Sequence, residues 1–248
     1  MLITMVKLLI SKFIYPYSNI KEELAAYAGK AMQLSFFSPT FFESLDHKSL
    51  KAIIDNEDIT VASVHAPTID IFETSKFLKM LATVRSVYEV DNVTVHPGAG
   101  NPLQALKLHE KYSSEIQNMG VNLAYENFDS SKRSKRWIQN ANSIYRLNFA
   151  HCSLTYDTSH VPAGRNISND LENFYAKLGI VHFSNISKEK EHRNHNPYSQ
   201  GIHDLNAPLE FLLRRSYPGY LVIEYAPQFK QEALDDYDYL SCNFGSLL

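Results

Sequence analysis

Residues 123–160 begin with Leu-Ala-Tyr-Glu-Asn-Phe, residues 123–128, and end with Leu-Thr-Tyr-Asp-Thr-Ser-His, residues 154–160. In each string an apolar run with the composition of a β-strand ends in a carboxylate, which is Glu126 in the first and Asp157 in the second. His160 follows shortly after Asp157. Because carboxylates and imidazoles are common ligands of divalent metal ions, two successive strand ends are predicted to carry metal ligands.

The same layout recurs on both sides of residues 123–160. The upstream strings are Val-Ala-Ser-Val-His65-Ala-Pro and Val-Thr-Val-His96-Pro-Gly, and the downstream strings are Ile-Val-His182-Phe-Ser-Asn and Leu-Val-Ile-Glu224-Tyr-Ala-Pro. Short runs rich in β-branched residues thus end repeatedly in histidine, glutamate or aspartate. This repetition is the most informative feature of the sequence.

Strand-like and helix-like runs alternate along the chain at roughly thirty-residue spacing. The predicted strands are Val6 to Phe13, Met32 to Phe37, Ile59 to His65, Asn92 to His96, a run ending at Glu126, Phe149 to Asp157, Ile180 to Phe183, and Tyr220 to Tyr225. The predicted helices are Ser18 to Gly29, Asp46 to Asn56, Thr74 to Val90, Pro102 to Met119, Ser130 to Arg146, Asn169 to Leu178, Pro208 to Arg215, and Gln231 to Leu240. Gly29 and Gly120 are expected to end two of these helices.

This alternation is typical of α/β proteins with right-handed crossovers, and eight units favour closure into a single (β/α)8 barrel. Such barrels occupy about 250 residues, so the 248-residue chain is predicted to be one domain spanning residues 1–248. A doubly wound open sheet is the alternative. The G-x-G-x-x-G and P-loop strings that often accompany an open sheet are absent from the sequence.

Composition narrows the class of protein further. The chain is 44% hydrophobic and 21% charged, which is typical of a globular protein with one large core. Its net charge of −3 provides no general basic field for polyanions. The basic residues 132–136 are interpreted first as the solvated start of a helix and second as a phosphate contact. No run approaches the length of a membrane span, and residues 1–17 are interpreted as leading into a buried first strand rather than as a signal peptide.

Cys152 and Cys242 are expected to be reduced thiols in a cytosolic protein.

The strand ends of a barrel converge on one axis, so their ligand-type side chains can meet. Four of them could reach a single central ion, namely Glu126, Asp157, His182 and Glu224. Four histidines are additional and could hold further ions or bind substrate, namely His65, His96, His160 and His195. Any one of these residues could instead be a hydrogen-bonded rim residue, and Glu224 could pair with Arg214 or Arg215. The whole set favours a shared site, because burying so many ionisable groups without a cation is costly.

His47 and His109 fall on helix-like runs and are expected at the surface.

These strings, in this order, resemble the xylose isomerase-like TIM barrels, a family that includes sugar and sugar-phosphate isomerases and epimerases as well as endonuclease IV, the nuclease of abasic sites. The resemblance spans nearly the whole chain. For the isomerase and epimerase branch it implies one divalent ion, Mn, Co, Mg or Zn, held by Glu126, Asp157, His182 and Glu224. It also implies that one of the two glutamates removes a proton beside a carbonyl, giving an enediolate, while the other returns it. His160 and Lys188 would then orient hydroxyl groups or a phosphate.

For the nuclease branch the resemblance implies three zinc ions, with His65, His96, His160 and His195 in matching strings. Where that branch has Asp-x-His, this chain has Arg193-Asn194-His195. A guanidinium cannot bind a cation, so the third zinc would lose a carboxylate unless Glu191 or His192 replaces it. The predicted DNA-gripping loops are also short, and the net charge offers no clear footprint for a phosphate backbone.

The sequence therefore predicts a metal-dependent sugar or sugar-phosphate isomerase or epimerase as the first function. The substrate-binding set is predicted to be His65, His96, His160, Lys188 and His195. A zinc-dependent phosphodiesterase acting on abasic DNA is the second hypothesis, in which nucleic acid replaces the sugar as partner. A metal-dependent lyase and a non-catalytic barrel with a vestigial site are further hypotheses, and association into a homo-oligomer is left open.

Overall fold

The computed structural model describes residues 6–16, 19–69, 71–96, 102–127, 152–188 and 194–246. Nine strands are described: β1 Val6–Ile14, β2 Ala31–Phe36, β3 Thr60–His65, β4 Asn92–Val95, β5 Asn122–Glu126, β6 Cys152–Asp157, β7 Leu178–Phe183, β8 Tyr220–Ile223 and β9 Gly245–Ser246. The described α-helices are α1 Ile20–Ala25, α2 Pro39–Ser44, α3 His47–Asn56, α4 Thr74–Tyr88, α5 Pro102–Asn118, α6 Ile167–Phe174, α7 Asn206–Arg214 and α8 Lys230–Phe244. Short 3₁₀ turns occupy Thr158–His160, Tyr175–Lys177 and Pro227–Phe229.

The strands are hydrogen-bonded in the order β2-β3-β4-β5-β6-β7-β8-β1-β9, and β2 also pairs with β1. Every described register is parallel. Sequential strands are therefore neighbours, and among the described residues a helix follows each of β1 to β4 and β6 to β8, as the crossovers of parallel strands require. The two-residue strand β9 beside β1 was not predicted.

Most predicted elements are found with shifted ends. Strand β4 stops at Val95 and β8 at Ile223, so His96 and Glu224 each follow their strand instead of belonging to it. Helix α2 was missed, although Pro39 at its first turn and the Ser38 cap are standard start signals. The predicted helix over Ser130 to Arg146 lies outside the described residues. Gly120, at φ of 70°, closely follows the end of α5, as predicted. The predicted helix end at Gly29 is four residues too late, because α1 ends at Ala25 and Gly29, at φ of 69°, lies in the turn that follows.

The chain divides into two compact units, so the expectation of a single domain stays a prediction. The N-terminal unit comprises the described part of residues 12–126 together with residue 152, and the C-terminal unit comprises the described residues among 6–11, 127 and 153–246. None of the described helices has the length and hydropathy that a membrane span requires.

In the N-terminal unit, apolar side chains of the strands and of α3 and α4 are buried together, including Leu34, Ile54, Val64, Leu81 and Val93. Helix α3 buries only Leu50 and Ile54, which are spaced by four residues and so share one face. The expectation that His47 and His109 lie at the surface is wrong. His109 is buried, with Nδ1 3.3 Å from the Tyr125 hydroxyl, and His47 is half-buried between Phe42 and Tyr88.

In the C-terminal unit, the core lies between the strands and helices α6, α7 and α8. Its fully or nearly fully buried side chains include Leu9, Tyr156, Leu171, Val181, Leu212, Tyr217 and Val222. Strands β7 and β8 are apolar on both faces, which is expected for parallel strands covered by helices. Where these buried strands end, the sequence changes from apolar to ionisable residues, and this change defines the candidate site.

Candidate metal centre

Each predicted ligand except His195 lies at or shortly after the carboxyl end of a strand. His65, Glu126 and Asp157 are the last residues of β3, β5 and β6, and His182 is the penultimate residue of β7. His96 and Glu224 come one residue after their strands, and His160 ends the 3₁₀ turn that follows β6. His195 lies in the connection from β7 to α7. The carboxyl ends of barrel strands are where active sites are built.

In the N-terminal unit, His65, His96 and Glu126 form what we call the N-terminal cluster. Glu126 is fully buried, and its Oε2 lies 3.1 Å from His65 Nε2 and 3.3 Å from His96 Nδ1. The two imidazole rings have centroids 4.9 Å apart. The ligand atoms of all three residues lie within 4.8 Å of one another, which is close enough for one cation to contact them all.

A backbone carbonyl orients the imidazole of His65. Its Nδ1 lies 3.1 Å from the carbonyl oxygen of Ala66, which can only accept a hydrogen bond, so Nδ1 is assigned as the donor. In the neutral ring Nε2 is then a lone-pair acceptor that faces the Glu126 carboxylate. Two acceptors at this separation need a proton or a cation between them, and a carbonyl-oriented imidazole is the usual arrangement of a metal ligand.

In the C-terminal unit, five residues form what we call the C-terminal cluster: Asp157, His160, His182, His195 and Glu224. His182 Nδ1 lies 2.7 Å from Glu224 Oε2, and His160 Nε2 lies 3.3 Å from Asp157 Oδ2. His195 Nδ1 is 3.8 Å from Asp157 Oδ2 and 3.7 Å from Glu224 Oε2. The ligand atoms of Asp157, His182 and Glu224 lie within 4.8 Å of one another, as do those of Asp157, His160 and His195.

Hydrogen bonds to the backbone fix Asp157 and leave one of its oxygens for a ligand. The side chain of Asn127 accepts a hydrogen bond from the Asp157 N–H and donates one to the Asp157 carbonyl. The carboxylate Oδ1 accepts a hydrogen bond of 2.6 Å from the backbone N–H of Ser159. Among the described residues, Asp157 Oδ2 accepts no hydrogen bond although it is buried, and it faces His160 and His195.

Neighbouring polar residues hold the histidines of the C-terminal cluster in the same way. His160 Nδ1 lies 2.9 Å from the Asn127 carbonyl oxygen, which again leaves Nε2 directed toward a carboxylate. Thr158 Oγ1 donates to the carbonyl oxygens of His182 and Ser184, and thereby joins the end of β7 to the turn after β6. Sequence reasoning missed the supporting roles of Asn127 and Thr158, although both adjoin predicted ligands, in the strings Glu126-Asn127 and Asp157-Thr158.

The donor chemistry of both clusters fits a divalent cation. Buried carboxylates facing imidazoles are costly unless a positive charge compensates them. Mixed carboxylate and imidazole ligands suit Zn, Mn and Co, and carboxylates alone suit Mg. Either cluster could therefore hold an ion of one of these four elements.

The tyrosine that follows Glu224 is a structural residue rather than a proton donor to the site. Tyr225 donates a hydrogen bond of 2.7 Å to Asp236 Oδ2 and accepts one from the Tyr198 N–H. Burial raises the pKa of Tyr225 well above 10.0, and the nearby Asp236 charge raises it further. Tyr225 thus stays neutral and links the end of β8 to α8.

Two other predicted residues lie in the connection from β7 to α7. Lys188 is exposed, and among the described residues no hydrogen bond or ion pair joins it to the C-terminal cluster. The described residues do not include Arg193, which replaces the aspartate of the Asp-x-His pattern, or its two possible substitutes, Glu191 and His192. Asn194 is described, and its Oδ1 is buried and accepts no hydrogen bond from the described residues.

Comparison with known proteins identifies the fold. Residues 22–240 match the sequence model of the family described as xylose isomerase-like TIM barrel. A search of curated proteins found no match. Because the family match covers most of the chain, the predicted (β/α)8 fold class is confirmed.

Solved structures with the same fold span different activities. A xylose isomerase domain protein from Planctomyces limnophilus is 12% identical, with a TM-score of 0.68 and 96% of each chain covered. A D-tagatose 3-epimerase-like protein is 16% identical, with a TM-score of 0.68 and coverage of 95% of this chain and 96% of that one. Endonuclease IV from Thermus thermophilus is 17% identical, with a TM-score of 0.60 and coverage of 94% and 98%. At these identities the likeness shows the fold alone.

Proposed function

Because this chain belongs to the xylose isomerase-like TIM barrel family, we propose that it is a divalent-metal-dependent isomerase or epimerase of a sugar or sugar phosphate. Epimerases are among the solved structures that it resembles. The cytosolic location and the homo-oligomer considered from the sequence stay predictions.

The observation that carries the proposal is the buried group of Asp157, His182 and Glu224 in the C-terminal unit. Their ligand atoms lie within 4.8 Å of one another, and none of the three side chains is more than 2% exposed. Glu126 is equally buried at the end of β5. Since barrel strands carry their site at one end, we assign Glu126 as the fourth ligand of the same ion.

The proposed reaction needs a base and an acid beside a carbonyl carbon. The bound divalent ion supplies Lewis-acid polarisation of the substrate carbonyl. One of Glu126 and Glu224 removes a proton from the adjacent carbon, and the other returns a proton to the opposite face or to the neighbouring carbon. His65, His96, His160, His195 and Lys188 are assigned to substrate hydroxyl groups or a phosphate.

Solvent-proton exchange tests this function directly. The wild-type protein, supplied with Mn²⁺, Co²⁺, Mg²⁺ or Zn²⁺, is incubated with a panel of ketoses, aldoses and their phosphates in D2O, and deuterium incorporation is followed by NMR. Glu126→Gln and Glu224→Gln should lower the exchange rate at least about 100-fold, because each removes a group that transfers the proton. The matched control Glu210→Gln changes an exposed carboxylate on α7 and should leave the rate unchanged. If no sugar exchanges, or if either site variant exchanges at the wild-type rate, the proposal fails.

A second candidate, an endonuclease IV-like phosphodiesterase acting at abasic sites, is favoured by one specific observation. His65 and His96 of the N-terminal cluster, together with His160 and His195 of the C-terminal cluster, provide more imidazole ligands than one ion needs. Two or three zinc ions per chain, together with metal-dependent nicking of an abasic oligonucleotide that is lost in Glu126→Gln, would replace the first proposal by the second. One ion per chain and no nicking would exclude the second.

A further inference from the structure

His195 reaches the C-terminal cluster from a connecting segment rather than from a strand. Its Nδ1 lies 3.5 Å from Ser184 Oγ, in addition to its contacts with Asp157 and Glu224. Its backbone φ is 61°, in the left-handed region that a residue with a Cβ adopts only when its surroundings hold it there. Contacts outside its own side chain must therefore fix the position of His195.

Backbone hydrogen bonds tie the segment around His195 to two strand ends. Asn185 and Asn196 exchange N–H to carbonyl hydrogen bonds of 2.9 Å in both directions. The N–H of Ala226 donates a hydrogen bond of 2.7 Å to the His195 carbonyl. The chain on one side of His195 is thus attached near the end of β7, and His195 itself is attached two residues past Glu224.

The side chain of Asn185 holds the remainder of the segment. It is fully buried, and its Nδ2 donates to the carbonyl oxygens of Tyr198 at 2.8 Å and His203 at 2.9 Å. Its Oδ1 accepts hydrogen bonds from the N–H groups of Ile186 at 2.9 Å and His203 at 3.1 Å. Both donors and both acceptor positions of the amide are used, so no other side chain of this size can make the same set of bonds.

Gly201 leaves the space that this arrangement needs. A Cβ added at Gly201 would lie 2.1 Å from Asn185 Cγ and 2.2 Å from its Oδ1. Even an alanine at position 201 would therefore displace the amide of Asn185. The pairing of a buried asparagine with a glycine that contacts it indicates that the conformation of this segment is specified.

We propose that Asn185 is a positioning residue for His195: it orders the segment between β7 and α7 so that the imidazole faces Asp157 and Glu224. The proposal rests on the proposed function only in regarding His195 as part of the site. It assigns to Asn185 no contact with substrate or with an ion. His182 and His160 are held by other contacts, so a change at Asn185 should move His195 alone among the three histidines of the cluster.

The test follows the imidazole nitrogens by NMR in metal-free, ¹⁵N-histidine-labelled protein, with the His195 signals assigned from their absence in His195→Ala. Asn185→Asp keeps the shape of the side chain and the acceptor Oδ1 but loses the two hydrogen bonds that Nδ2 donates to Tyr198 and His203. Gly201→Ala displaces the same amide from the other side. In both variants the His195 signals should shift to those of a solvent-exposed histidine, while the signals of His160 and His182 stay in place. Gln200→Ala, an exposed position in the same segment, is the matched control and should leave all of the signals unchanged.

Each outcome decides the proposal. Unshifted His195 signals in a folded Asn185→Asp or Gly201→Ala variant would overturn it, as would equal shifts at His160 and His182. Loss of folding in both variants, seen by circular dichroism, would assign Asn185 to the core fold and overturn the proposal as well. Because the measurement uses neither metal nor substrate, failure of the proposed enzymatic function would leave its result intact.

Discussion

His182 Nδ1 lies 2.7 Å from Glu224 Oε2, with side-chain exposures of 0% and 2%. The strand register explains this contact. His182 is paired with Val222 across β7 and β8, so Glu224, two residues further along, projects to the same face as Val222. An imidazole and a carboxylate so deeply buried are tolerated only while each compensates the other or both bind a cation.

Removing His182 should therefore destabilise the metal-free protein strongly. His182→Ala leaves the Glu224 carboxylate buried without its imidazole and should lower the free energy of unfolding by about 3–5 kcal/mol. Adding Glu224→Gln to His182→Ala should recover part of that loss, because it removes the buried charge. Urea denaturation in the presence of a chelator measures each corner of this double-mutant cycle.

The exposed pair of Arg214 and Glu210, with N to O 2.8 Å, is the control for this cycle. Arg214→Ala should change the free energy of unfolding by less than about 1 kcal/mol, because water screens that pair. Strict additivity of His182→Ala and Glu224→Gln would contradict the interpretation of the buried pair.

Asp157 should control metal-dependent stabilisation. A cation that binds only the native state stabilises it by about 2.7 kcal/mol at a concentration 100-fold above Kd, so Zn²⁺, Mn²⁺ or Co²⁺ should raise the Tm of the wild type. Asp157→Asn removes the charge of the buried ligand oxygen and should abolish most of this increase. Differential scanning calorimetry over a series of metal concentrations measures it.

Asp170→Asn is the matched control, since Asp170 is another buried aspartate of the same unit and is bonded to Arg165 and Tyr156. It should lower the Tm without metal but leave the metal-dependent increase unchanged. An equal loss of that increase in both variants would show that Asp157 has no special part in metal binding.

The sequence predicted the fold because the buried parallel strands are short apolar runs, and because β3 to β8 each carry a histidine, aspartate or glutamate at or next to their carboxyl end. It indicated Glu126, Asp157 and His182 as candidate ligands for the same reason, since the strand end fixes where a side chain points. The predicted strand ends at Tyr225, whereas β8 ends at Ile223. Tyr225 continues the apolar pattern of the strand, but its hydroxyl donates a hydrogen bond to Asp236.

The sequence does not predict contacts between residues that are far apart along the chain. His109 is in a helix-like run, and only the tertiary contact with Tyr125 explains its burial. The hydrogen bonds from Asn127 to Asp157 join residues that are 30 positions apart. The hydrogen bonds from Asn185 to the segment of His195 depend on the conformation of a loop, and a loop has no periodic sequence pattern. Local sequence patterns do not predict such contacts, so only the structure identifies the residues that orient the candidate ligands.

Lys188 provides a test of the substrate class. It is exposed beyond the end of β7, where an ammonium group can meet a phosphate without being desolvated beforehand. Lys188→Ala should raise the KM for a phosphorylated sugar about tenfold and leave the KM for the unphosphorylated sugar and both kcat values unchanged. Lys48→Ala, which changes an exposed lysine on α3, is the control. Equal KM effects of Lys188→Ala on both substrates would remove Lys188 from the phosphate site.

Acid should weaken the N-terminal unit through His47, which lies outside both clusters. Burial lowers the pKa of His47 below 6.5, against smaller opposing effects of the Phe42 carbonyl and the Asp46 charge. The neutral ring is held by Nε2 at 2.8 Å from the Phe42 carbonyl oxygen and by Nδ1 at 2.8 Å from the Tyr88 hydroxyl.

The unfolded chain binds a proton at His47 at a higher pH than the native protein does. The contribution of His47 to the free energy of unfolding is therefore complete above pH 6.5, and it is lost as the pH falls through the lower native pKa. His47→Gln removes the titrating group. Its free energy of unfolding, measured in urea between pH 7.5 and pH 5, should therefore fall less with acid than that of the wild type. Lys48→Gln, at the neighbouring exposed position, should keep the wild-type slope because lysine does not titrate in this range. A slope in His47→Gln as steep as in the wild type would mean that the ring is protonated equally in both states, and that its two hydrogen bonds do not select the neutral form.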